Sequence, residues 1–90
     1  MPKLFLAYLG GKMLPNRIGE DHEVVLVVAE DKVEAKAKAQ AKWKGEGAAH
    51  LDMLTEVDIV DNYVINLEKT MKQDKMISDD DWHALNDVDK

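Results

Sequence analysis

Glu23–Glu30 reads EVVLVVAE, and its reading decides the fold. Half of these residues are valine, whose branched side chain is stiff at χ1 and suits a pleated strand better than a helix. Val24, Leu26 and Val28 alternate with Val25, Val27 and Ala29, so both faces of the strand are apolar. A strand of that kind is expected to be covered on both sides. The stretch before it has the same character. In Lys3–Leu9 (KLFLAYL), Leu4, Leu6 and Tyr8 oppose Phe5, Ala7 and Leu9, which marks a central strand. Gly10-Gly11 is expected to break that strand, and Leu14-Pro15-Asn16-Arg17 with Gly19 marks an irregular loop.

Downstream, Asp31–Lys44 (DKVEAKAKAQAKWK) alternates like a strand but is built from good helix formers. Its end signals decide for a helix. Asp31 can cap the start with Glu34 three residues on, Glu34 and Lys38 form an i,i+4 pair, and Gly45 and Gly47 close the end. Two small-residue stripes result, Val33/Ala37/Ala41 and Ala35/Ala39/Trp43, either of which lets a helix sit close to a sheet. Glu46–Leu54 reads as a loop carrying His50 and Asp52. Thr55–Asp61 and Asn62–Glu68 read as two strands, the second with Tyr63, Ile65 and Leu67 inward. Asp61-Asn62 suits a two-residue turn because both residues tolerate positive φ. Residues 1–68 thus form one α+β domain. Residues 69–90 are a polar extension, frayed or holding a short helix capped by Ser78.

The order strand, strand, helix, strand, strand predicts a ββαββ four-stranded mixed sheet under one helix, of the ubiquitin-like-roll type. One helix covers one face. The other face must be covered by the C-terminal extension, by a second copy of the chain, or by both, and a homodimer is expected first.

A chain of 90 residues has room for one small core. It has no cysteine, which excludes disulfides, thiolate nucleophiles and cysteine-ligated zinc. The net charge of −6 argues against nucleic acid and anionic membranes as partners. The longest apolar run, Val24–Ala29, falls far short of the roughly 20 residues a membrane helix needs. Met1-Pro2-Lys3-Leu4 lacks the features of a signal peptide, so a cytoplasmic location is expected.

Several short motifs occur in a fixed order. They are Leu6–Gly11 (LAYLGG), Glu20-Asp21-His22-Glu23 leading into Val24–Ala29, Trp43, His50-Leu51-Asp52, and Val60-Asp61-Asn62-Tyr63. In this ordered set, over about residues 3–68, the chain resembles the bacterial family catalogued as domain of unknown function 1543. The resemblance implies a small α+β domain and attaches no activity. Asn62 stands where the family commonly has glycine, and asparagine still fits a tight turn.

Candidate chemistry is sparse. Glu20, Asp21 and His22 lie at a loop–strand junction, and His50 and Asp52 lie in a second loop. If the sheet joins the Gly19–Glu23 and Ala48–Asp52 segments, two imidazoles and one or two carboxylates could hold a divalent metal such as iron or zinc. No HxH or HExxH pattern accompanies them, and surface-loop histidines that cap backbone groups or pair with Asp21 and Asp52 explain the residues more simply. Gly10, Gly11, Lys12 and Arg17 could form the lip of an anion-contacting loop, although neither phosphate-loop fingerprint is present. A turn needing positive φ explains the two glycines more simply. The lysines of the helix are spread around it, as on a solvated face. Met76, Ile77, Trp82 and Leu85 could bind a partner protein.

No catalytic residues emerge from the sequence and no cofactor is called for. The favoured reading is a non-catalytic binding or assembly module that self-associates through its sheet. The alternative is a small metal-binding protein or enzyme with its site between the two His-bearing segments.

Overall fold

The computed structural model describes residues 1–16 and 18–73. Arg17 and the segment carrying Met76, Ile77, Ser78, Trp82 and Leu85 lie outside the described residues. Strands β1 (Lys3–Lys12), β2 (Asp21–Ala29) and β3 (Glu46–Glu56) form one antiparallel sheet in the order β2-β1-β3. Helix α1 (Lys32–Ala41) connects β2 to β3, and a two-stranded ribbon, β4 (Ile59–Val60) with β5 (Tyr63–Val64), follows.

Among the described residues the fold is α+β with one helix, as the sequence indicates, but the expected four-stranded mixed ββαββ sheet of ubiquitin-like-roll type is replaced by three strands plus a separate ribbon. Two local readings account for the difference. Glu46–Leu54, expected as a loop, is most of β3. The expected strand at Thr55–Asp61 is split, its first two residues ending β3 and Ile59–Val60 turning away as β4. Asp61 (φ 52°) and Asn62 (φ 70°) do make the two-residue turn. Tyr63, expected to point inward, is 75 % exposed.

Gly10-Gly11 does not break β1, which runs on to Lys12, and neither glycine has positive φ. β1 is central, as its two apolar faces indicate. Its odd residues, Phe5, Ala7 and Leu9, are buried with Val27 and Ala29 of β2, Ala49 of β3 and Ala35 and Ala39 of α1. The alanine stripe Ala35/Ala39 therefore faces the sheet, and Val33 on the other stripe is left exposed. The helix starts as its sequence dictates. The Glu34 N–H donates to the Asp31 carboxylate at 2.9 Å, and Lys38 pairs with Glu34 at 3.1 Å.

The even residues of β1 face away from the helix. On that open face Val24, Leu26 and Val28 of β2 are 58, 53 and 41 % exposed, and Met53 of β3 is 49 % exposed. Among the described residues no element lies across them to cover this second face. The outer edge of β2 is capped instead. Lys38 and Lys42 each donate from Nζ at 2.7 Å to the backbone carbonyls of Val28 and Leu26. No helix among the described residues is long and apolar enough to cross a membrane.

Ala35 and Ala39 have no exposed surface, so a larger side chain there must push helix and sheet apart. Ala39→Leu should destabilise the domain by about 1–3 kcal/mol, the usual cost of overpacking. Urea denaturation checks this, with Ala37→Leu on the exposed helix face as a near-neutral control.

Candidate functional site

The register of the sheet builds the site. Gly10 on central β1 is paired with His22 of β2 on one side and with His50 of β3 on the other. Cross-strand partners share a face, so the two imidazoles flank a position that has no side chain. Asp52 reaches the same spot through a bulge. Tyr8 pairs with Met53 while Leu9 pairs with Leu51, which leaves Asp52 as the extra residue. Glu20 enters from the segment before β2, directly after Gly19, whose φ of 91° belongs to the left-handed region that glycine tolerates.

These four side chains converge. Asp52 Oδ2 lies 3.4 Å from His22 Nε2, and Asp52 Oδ1 lies 3.4 Å from His50 Nε2. Glu20 Oε1 contacts His50 Nε2. Glu20, His22 and Asp52 each present a ligand atom within 4.8 Å of the others'. A Cβ at Gly10 would stand 2.8 Å from both Asp52 Oδ2 and His50 Nε2, and would also collide with Glu20 Oε1. Glycine here serves close approach, not a turn, since any side chain would push these three tips apart. The side chains remain open to solvent, from 34 % exposed at Asp52 to 60 % at His50. Tyr8 stacks on His22 with ring centroids 4.8 Å apart and planes 11° from parallel, which fixes the orientation of that imidazole.

The other expected site residues are placed differently. Asp21 faces the helix side and accepts a hydrogen bond at 3.0 Å from the Met13 N–H, so it anchors the loop after β1. Gly10, Gly11 and Lys12 are strand residues, not a loop that could wrap an anion. Gly11 is required because a Cβ there would stand 2.8 Å from the Trp43 ring. Cavities at the other end of β1 and along the α1–β2 edge are lined by none of the four cluster residues.

Tyr8 and the central role of Gly10 were not singled out by sequence reasoning. A glycine inside a strand with apolar residues on both sides was the available signal for close approach. The alternation of His50 and Asp52 against Ala49 and Leu51 was the signal for β3, interrupted by the bulge before Met53 and Leu54.

Among known proteins, the profile of the family described as Domain of Unknown Function (DUF1543) matches residues 17–67. The chain belongs to the DUF1543 family. The span matched to DUF1543 contains Glu20, His22, His50 and Asp52, while Gly10 and Tyr8 lie before it. No curated protein and no solved structure matches the chain significantly.

Removing the Tyr8 ring should release His22. Tyr8→Leu is expected to shift the His22 ring-proton resonances downfield, as the ring current of the stacked phenol is lost, whereas Tyr8→Phe leaves them nearly unchanged. Two-dimensional proton–carbon NMR of the histidine rings checks this.

Proposed function

We propose that this domain binds a divalent transition-metal ion between the Gly19–Glu23 segment and the Ala48–Asp52 stretch of β3, through His22, His50, Asp52 and Glu20. The observation that carries the reading is the convergence of two imidazoles and two carboxylates over a residue with no side chain. Ligands at about 2.1 Å around a tetrahedral ion are about 3.4 Å apart. Asp52 Oδ2 stands at that spacing from His22 Nε2, and Asp52 Oδ1 stands at it from His50 Nε2. Nitrogen and oxygen donors without thiolate suit zinc, iron(II), cobalt or nickel better than copper(I), and the imidazoles disfavour magnesium and calcium.

The arrangement fits a metal better than it fits ion pairing alone. Two histidines paired with surface carboxylates need no vacant position beneath them, and Gly10 supplies one. Strands hold His22, His50 and Asp52 at fixed register, and the stacked Tyr8 orients the His22 ring. The exposed side of the cluster leaves room for water or a small ligand on the ion, so the site serves either a metal-binding protein or a small metalloenzyme. A cysteine-free chain fits a reducing compartment such as the cytoplasm.

Protein purified without a His-tag and stripped with a chelator should take up one equivalent of cobalt(II) or zinc, read by visible absorption and by calorimetry. His22→Ala and Asp52→Asn should each weaken binding at least tenfold. His83→Ala, at the third histidine of the chain, should leave it unchanged. Gly10→Ala should also weaken binding, because its Cβ meets only the tips of Glu20, Asp52 and His50, while the unfolding midpoint stays close to that of the parent. Absence of stoichiometric binding, or binding that survives His22→Ala combined with His50→Ala, would overturn the assignment and leave the cluster as a set of surface ion pairs.

A further inference from the structure

Lys12 stands on the same side of the sheet as the metal cluster. A Cβ built on Gly10 meets Glu20, Asp52 and His50, while one built on Gly11 meets the Trp43 ring. Successive residues therefore alternate sides at this end of β1 as they do along the rest of it. Lys12, the next residue, returns to the side of the cluster. Its Cα lies two residues beyond that of Gly10, about 6.6 Å along the strand. The three strands of the sheet carry two lysines, and the other, Lys3, falls on the helix side with Phe5. Lys12 is thus the single ammonium that these strands place beside the cluster. It is exposed, and among the described residues it makes no ion pair and no side-chain hydrogen bond.

We propose that the metal-loaded site captures the phosphate group of a small soluble phosphate monoester, one oxygen on the ion and another on the Lys12 ammonium. The inference rests on the metal reading above and names the ligand of that same site. A strand residue cannot wrap an anion, but it can hold one end of it. The span suits a tetrahedral oxyanion, which binds an ion at about 2.1 Å and an ammonium at about 2.8 Å. The kind of cation selects the kind of anion. Planar, bidentate recognition of a carboxylate is the work of an arginine fork, whereas lysine serves phosphate as a point charge. The chain's one arginine, Arg17, lies outside the described residues.

Charge makes the capture conditional on metal. Glu20 and Asp52 place two negative charges beside Lys12, and the whole chain carries −6, so the empty site repels an anion. A divalent ion cancels both carboxylates, and its open position then draws an oxygen donor. Glu46 is the acid that remains, since it is the cross-strand partner of Lys12 on β3. No ion pair joins the two in the structure, and an exposed lysine–glutamate pair is weak in any case. A dianion held by the ion as well displaces it. The same net charge keeps the domain off anionic bilayers, which favours a soluble phosphate over a lipid headgroup. Linkage requires that phosphate tighten metal by the factor that metal tightens phosphate.

Titration of the full chain, loaded with zinc or cobalt(II) and freed of excess metal, tests this. Inorganic phosphate and glycerol phosphate are the probes, read by calorimetry and by the visible spectrum of cobalt(II). Each should bind once per ion, succinate at least tenfold more weakly, and the chelated chain should bind none of them. Lys12→Gln should keep its metal and lose at least fivefold in phosphate affinity, while Lys36→Gln, on the exposed face of α1, changes neither. If no metal binds, the metal reading falls and this one with it. If metal binds and phosphate does not, the metal reading stands and the phosphate site is overturned. Phosphate affinity unchanged in Lys12→Gln leaves capture to the ion alone and overturns the role of the lysine. Loss of metal from Lys12→Gln makes the lysine a support of the cluster, and overturns it too. Succinate binding as tightly as phosphate overturns the ligand class, and binding of inorganic phosphate without glycerol phosphate overturns the monoester. Retention of the loaded chain on phosphatidic acid vesicles, undiminished by glycerol phosphate, moves the ligand to a lipid surface and overturns the soluble one.

Discussion

Everything in this domain hangs from the hydrogen-bond ladder on both sides of β1. From Lys3 to Gly11 the strand is paired residue for residue with β2, and from Phe5 to Lys12 with β3. Because successive side chains of a strand point to opposite faces, this one register settles two unrelated matters. It delivers Phe5, Ala7 and Leu9 to the helix, where they form the core, and it delivers Gly10 to the open face between two histidines 28 residues apart in the chain. A one-residue slip of β1 would exchange the two roles, burying the even residues and removing the vacancy from the cluster. Stability and site geometry are therefore not separately adjustable here.

Much of the core was legible in the sequence because it depends on local signals. The valine-rich run of β2, the two-faced β1, the Asp31 cap and the Asp61-Asn62 turn are each written in a few adjacent residues. The helix face was legible only as a pair of alternatives, since both stripes are small. The structure selects Ala35/Ala39 because they stand over Phe5, Val27 and Ala49, a fact of tertiary packing that no local pattern carries. β3 was hidden for a different reason. It contains Gly47, Ala48, Ala49 and Asp52, all weak strand formers, and its alternation is broken by the bulge at Asp52. Its strand character comes from its partner, Leu9 facing Leu51 and Ala7 facing Leu54, not from its own residues.

The cluster was legible in composition but not in geometry. His22 and His50 could be named as partners of carboxylates, yet nothing in their spacing says that they meet. They meet because both strands pair with the same residue of β1. Asp21 and Asp52 illustrate the limit well. Asp21, one residue from His22, falls to the helix side, where it holds Met13, while Asp52, two residues from His50, shares the histidines' side. Adjacent carboxylates of the same kind thus end in different roles through a difference of one residue in register.

The two lysine caps on β2 bear on solubility. Val24–Ala29 is six apolar residues without a charge or a proline, the kind of segment that stacks into cross-β aggregates when its edge is free. Lys38 and Lys42 reach it from the neighbouring helix, so the protection exists only while α1 is docked. A partly folded chain, with the helix detached, presents the same valine run with its carbonyls open. Refolding yield, more than the equilibrium stability of the finished domain, is then limited by how soon α1 settles on the sheet. A chemical modification of those two lysines would carry that hazard into the folded protein.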